Sequence, residues 1–187
     1  MKMVKTEAIM NKKKRALFSV ELLIGPWRKV VPGHICKMLI AEALSEGVCH
    51  KKPLHEIMGY LITSRRVFIV MDIPDKNIHE LFRDFYERIR KKIKPYLHSH
   101  KEHYDTAKTD KEMVLFEKHE LRNNYLIRLL CGKKVALKYY DPNLERLKNM
   151  LQKQEYCSMV DYSGAIGPVI MHCRSCEHVK DENQHQH

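Results

Sequence analysis

No stretch of this sequence approaches the roughly 18 consecutive apolar residues of a membrane-spanning helix, so no span is predicted. The early lysines, Lys2 and Lys5, have no apolar run behind them of the kind a secretory signal needs. The expectation is a cytoplasmic protein with no membrane partner. No internal repeat is present. Acid is the scarce charge: 23 Asp and Glu stand against 34 Lys and Arg, a formal net charge of +11. That surplus favours polyanions as partners, because lysine and arginine release counterions from phosphate backbones. A merely soluble basic protein, or one drawn to an anionic membrane surface, are the other readings. A second CxxC is also missing. The one present, Cys173 to Cys176, is flanked by His172 and His178, and these four side chains are candidate ligands for a small zinc site. Structural zinc sites usually draw a second pair from elsewhere, yet Cys36, Cys49, Cys131 and Cys157 are scattered singly. Reduced thiols in a loose tail are the alternative, and a disulfide framework does not fit an intracellular setting.

What is there suits one domain with a sizeable core at 187 residues. A basic arm, 1–15, has its densest charge at Lys12, Lys13, Lys14 and Arg15, either as a nucleic-acid contact or as a solubility tail. A single α+β domain is expected over 16–171, and a polar tail over 172–187.

The pattern centres on Leu54–Met71. Two apolar runs, Ile57–Ile62 and Val67–Met71, flank the polar break Thr63-Ser64-Arg65-Arg66 and predict two buried strands joined by a tight turn. Gly59 within the first run weakens the strand or marks a close approach. Upstream, Ala16–Ile24 predicts a first strand and His34–Glu46 a helix closed at Gly47. Downstream, Asp75–Lys94 predicts the strongest amphipathic helix, with Ile78, Leu81, Phe82, Phe85, Ile89 and Ile93 on one face and Pro95 as its stop. A His-rich loop, then a helix over Lys111–Cys131, should follow. Val135–Tyr140 reads as a short strand. Asp141-Pro142 reads as a cap and first turn of a last helix with a Leu144, Leu147, Leu151 stripe. A final strand is expected at Pro168–Met171. With Lys111–Cys131 taken as an insertion, the order is β-α-β-β-α-β, the ferredoxin-like split βαβ core.

The hairpin resembles that of the IS200-like transposases, the single-tyrosine HUH family, and their relatives associated with repetitive extragenic palindromes. Tyr60 matches their strand aromatic, and Thr63-Ser64-Arg65 takes the place of their turn. Tyr139-Tyr140-Asp141 matches the tripeptide ahead of their tyrosine helix. The resemblance implies the same ferredoxin-like core, single-stranded or hairpin DNA as partner, a possible homodimer, and DNA transposition as a mobile-element function. In active members two histidines spaced i, i+2 hold Mg²⁺ or Mn²⁺, and a helix tyrosine attacks the scissile phosphate. Here Arg66 and Phe68 stand at the histidine positions, Met150 at the tyrosine and Gln154 at the third ligand. Arginine has no lone pair to give and phenylalanine no donor atom. The implied protein binds DNA, needs no cofactor, and lacks the family's metal-dependent nicking. Tyr125, Tyr139, Tyr140 and Tyr156 are alternative tyrosines, Tyr156 lying nearest the family position. Arg65 and Arg66 become candidate phosphate contacts, with a solvated turn and a salt bridge as the alternative reading. Arg88, Arg90, Lys91 and Lys92 on the long helix are candidate backbone contacts. The competing function is a noncatalytic RNA- or single-strand-binding module on the same fold, which would stack bases on sheet aromatics. A noncatalytic assembly protein, whose charge serves only solubility, is the third reading.

Overall fold

The computed structural model describes residues 15–49, 56–74, 78–99 and 113–171. Strand β1 (Arg15–Ile24) shows why a sheet forms. Its alternate residues Phe18, Val20, Leu22 and Ile24 belong to one apolar core, while Ser19, Glu21 and Leu23 fall on the opposite face. A 3-10 turn (Pro26–Lys29) and helix α1 (Gly33–Cys49) follow. Then come the hairpin strands β2 (Glu56–Ile62) and β3 (Arg66–Pro74), helix α2 (Ile78–Ser99) and strand β4 (Phe116–Glu120). Three short helices complete the chain: α3 (Asn124–Leu130), α4 (Pro142–Gln152) and the single turn α5 (Met159–Tyr162).

The sheet order is β2-β3-β1-β4, and every neighbouring pair is antiparallel. β1 and β2 therefore run the same way with β3 between them, and β3 and β4 the same way with β1 between them. That interleaving of two βαβ units is the ferredoxin-like α+β fold that the sequence predicts. The hairpin forms at the expected break. Thr63 accepts the backbone N–H of Arg66 on its Oγ1 at 3.0 Å, and its own N–H donates to the Arg66 carbonyl at 2.9 Å.

Helices α1 and α2 cover one face of the sheet. Phe82, Phe85, Ile89 and Ile93 of α2 meet Leu39, Ile40 and Ala43 of α1 in the first core. Lys92 ties the two helices together by reaching Glu42 at 2.9 Å and Glu46 at 2.8 Å. Burial works against its charge, but the two carboxylates outweigh this and push its pKa up. The opposite face over β2 and β3 carries a second core. There Leu61 and Val70 of the sheet meet Leu126 and Leu130 of α3 and Leu144 and Leu151 of α4.

Several predicted elements differ from those observed. Pro95 lies inside α2, which runs on to Ser99; a proline costs a helix one hydrogen bond and a clash with the preceding turn, and burial of Leu97 beyond it offsets that. Gly47 likewise lies within α1, not after it. The predicted Lys111–Cys131 helix divides: residues 116–120 are the fourth strand, and only Asn124–Leu130 is helical. β4 buries one residue, Phe116, so it shows no alternation to read. Tertiary contacts select the strand instead. The Phe116 ring packs on Phe85 at 5.4 Å, Tyr86 at 5.5 Å and Trp27 at 6.0 Å. Trp27, fully buried, donates its Nε1–H to the Leu115 carbonyl at 2.8 Å. Among the described residues Val135–Tyr140 pairs with no strand, and the chain bends at Lys138 and Tyr139. Val135 and Leu137 turn into the second core, which accounts for its β-like alternation. Pro168–Met171 is not a strand either; Val169 is buried and Ile170 donates its N–H to Ser45 Oγ at 3.0 Å.

Candidate functional site

The family-like positions lie on the sheet face that carries the second core. Phe68 is half-buried in that core, as is Leu147 of α4. Arg66, two residues earlier on β3, projects from the same face and donates from its guanidinium to Glu21 Oε1 at 2.9 Å. Glu21 stands on β1 opposite Phe68, and His119 of β4 stands on its other side. His119 contacts Glu117 at 3.0 Å. Among the described residues no group of three or more His, Cys, Asp or Glu is placed to hold a metal ion. Arg66 and Phe68 do not fit one, since neither offers a lone pair.

The tyrosine-helix positions are placed as follows. α4 starts where the sequence says: Asp141 accepts the backbone N–H of Asn143 at 2.9 Å and of Leu144 at 3.3 Å. Leu144 and Leu151 bury, and Met150 lies on the exposed side. Gln154 follows the helix, its N–H donating to the Leu151 carbonyl at 3.0 Å. Tyr156 lies beside the outer edge of β2, where its carbonyl accepts the Ile62 N–H at 2.8 Å. Its ring packs against the first core, with Lys37 Nζ 5.8 Å from the ring centre. Tyr156 and the Arg66–Phe68 pair thus serve opposite faces of the sheet and are not brought together. Tyr125 is half-buried in the second core.

Tyr60, the hairpin aromatic, is part of a clasp. Its hydroxyl donates to Asp161 Oδ2 at 2.9 Å, and the Gly167 N–H donates to Asp161 Oδ1 at 3.0 Å. Burial, then the Asp161 charge and hydrogen bond, push the phenol far above its usual pKa. Buried Ser158 accepts the Tyr60 N–H at 3.0 Å and donates its hydroxyl to the Leu130 carbonyl at 2.7 Å. Tyr162 donates its hydroxyl to the Met58 carbonyl at 2.7 Å, over Gly132, whose positive φ of 67° suits the turn after α3. These bonds, with the bridge between Leu61 and Cys157, fasten the lobe of α3, α4 and α5 to the edge of β2.

The predicted basic contacts separate into two sets. Lys92 faces α1, as above, and Arg88 reaches the Ala43 carbonyl at 3.4 Å, so both help join the helices. Arg90, Lys91 and Lys94 are exposed and line a cavity of about 240 Å³ with Glu87, Leu97 and Met113. Arg65 is exposed on the hairpin turn, with no ion pair among the described residues. Lys12, Lys13 and Lys14 lie outside the described residues, as do His172, Cys173, Cys176 and His178. Only the backbone of Arg15 is described, in β1.

One surface was not predicted. Lys133, Lys134 and Lys138 are exposed and make no ion pair among the described residues. Tyr139 and Tyr140 beside them are 67% and 77% exposed. The sequence carries the signal as three lysines leading into a pair of tyrosines, but Val135–Tyr140 reads as a short strand. No family model, curated protein or solved structure matches this chain. The class that the geometry itself defines is the ferredoxin-like α+β fold with a second apolar lobe on its sheet. That fold hosts many functions, so the functional reading rests on this chain's own surface.

Proposed function

We propose that this protein binds DNA, single-stranded or hairpin, as a transposase-like shell without the metal-dependent tyrosine nicking of the IS200-like family. The observation that carries the reading is a set of exposed cations with no ion pair among the described residues: Arg65 on the hairpin turn, and Arg90, Lys91 and Lys94 on α2. Unpaired surface lysines and arginines are free to replace counterions on a phosphate backbone. The resemblance adds the kind of nucleic acid. In its support, α4 lies on the same sheet face as Arg66 and Phe68, as a tyrosine helix must to reach a metal-bound phosphate. The residues at those positions carry no ligand and no nucleophile. A base-stacking RNA module on this fold draws less support, because the sheet face over β2 and β3 is covered by the second core.

The test is a labelled DNA hairpin and its single strand, titrated with protein over a range of salt, then run with Mg²⁺ or Mn²⁺ on a denaturing gel. Binding that weakens steeply with salt, and no covalent band, is the expected result. A covalent protein–DNA band would overturn the loss of chemistry. Failure of both DNAs to bind would overturn the reading as a whole, and equal or tighter binding of the same sequence as RNA would favour the module.

A further inference from the structure

We propose that Lys133–Tyr140 is a contact for single-stranded nucleic acid, in which Tyr139 and Tyr140 stack on bases and the lysines hold phosphates. The proposal rests on the nucleic-acid reading above and assigns it a place. The segment has no regular secondary structure and bends at Lys138 and Tyr139, with Val135 buried and Leu137 half-buried in the second core. Its outward residues are Lys134, Ala136 and Lys138. Between the two lysines the exposed side of the segment carries only the methyl group of Ala136. The Lys133 N–H donates to the Arg128 carbonyl at 2.9 Å, which brings the exposed Arg128 to the same end. None of these four cations has an ion pair among the described residues.

The tyrosines occupy two positions held at both ends. Leu137 packs into the core on one side, and Asp141 caps α4 on the other. Their backbone is therefore fixed before any ligand arrives, which lowers the ordering cost of binding. Among the described residues their rings contact no other ring and their hydroxyls have no partner. Two exposed rings within a cluster of exposed cations match a polyanion whose bases are free to stack. Duplex DNA keeps its bases stacked on one another, so the match is to a single strand.

The experiment uses the full chain and a labelled oligothymidine, with a duplex of equal length and vesicles containing anionic lipid in parallel. Tyr139→Ala with Tyr140→Ala should weaken single-strand binding about tenfold or more, from the usual worth of base–aromatic stacking. Tyr139→Phe with Tyr140→Phe should stay within about twofold, since the rings remain. Neither change should alter duplex binding or thermal unfolding. Lys133→Gln with Lys134→Gln and Lys138→Gln should lower the slope of log affinity against log salt by about 2. If wild type binds but the alanine pair matches it within about twofold, this site is wrong and the DNA reading stands. If wild type binds neither nucleic acid, both fall together. Tyrosine-dependent binding to the vesicles without binding to the oligonucleotide would also overturn the proposal.

Discussion

Gly59→Ala tests how the second lobe is held. Gly59 follows a bulge in β2, between Ile57 and Gly59, and pairs with Val70 of β3. A methyl group placed there would lie 2.6 Å from the Leu130 carbonyl carbon and 2.9 Å from its Cβ, and closer still to its oxygen. These are mostly backbone atoms at the end of α3, so no side chain can swing aside. The helix end must retreat by on the order of 1 Å to reach ordinary contact, and overpacking of this kind costs about 1–3 kcal/mol. The same carbonyl accepts the Ser158 hydroxyl at 2.7 Å, and loss of that bond adds about 1 kcal/mol. Lower entropy of the unfolded alanine chain returns about 0.5–1 kcal/mol. The net loss is about 1–3.5 kcal/mol, or roughly 2–14 °C in melting temperature for a chain of this size. Trp27, the only tryptophan and fully buried, reports unfolding by fluorescence, and far-UV circular dichroism follows the helices. A melting temperature within about 1 °C of wild type, or above it, would refute the close approach. Gly59→Ala combined with Ser158→Ala should cost less than the two separately, because both act on the Leu130 carbonyl.

Three further outcomes follow from the same contacts. Ser158→Ala leaves the Tyr60 N–H without its side-chain acceptor and the Leu130 carbonyl without its donor in a buried site, and should cost about 1–3 kcal/mol in urea titration. Asp141→Ala removes the α4 cap and should cost about 1 kcal/mol, most of it restored by Asp141→Asn, as measured by thermal unfolding. Burial, partly offset by Arg28 and Lys37, raises the Cys36 thiol from 9.0 to about 11. Its contribution to stability is then complete below about 9 and lost as pH rises to about 11. Iodoacetamide at pH 8, with peptide mapping, should label Cys36 far more slowly in the native protein than in urea.

Where the sequence was legible, a local pattern matched a local cause. The hairpin declared itself because Thr63 both breaks the apolar run and closes the turn with its own side chain. α2 did so because its buried face repeats at helical spacing, and α4 because Asp141-Pro142 supplies a cap and a first turn. Gly59 in an apolar run marks either weakness or close approach, and the approach to Leu130 is the physical reason. β4 was not legible, because four of its five residues are exposed and its strand conformation is imposed by β1 and by the Phe116 contacts. The candidate surface was only partly visible. Charge marked Arg65, Arg90 and Lys91, but nothing local distinguishes Lys92, which α1 claims through Glu42 and Glu46. Tyr139 and Tyr140 looked like strand residues because burial alternates at their upstream neighbours. Their exposure depends on which face of the segment the second core takes up.

The register of the central strand also governs how this chain must be made. β1 is the first strand in order, yet its partner Val20↔Glu120 lies roughly 100 residues further on. At about 5–20 residues per second, synthesis of that interval takes about 5–20 s. Through that time one side of β1 along residues 20–24 has no partner strand. Long-range pairing of this kind folds slowly and exposes the growing chain to association with its neighbours. A truncation ending after α2 would keep the hairpin and both long helices but carry that bare edge permanently. It should aggregate where the longer chain does not.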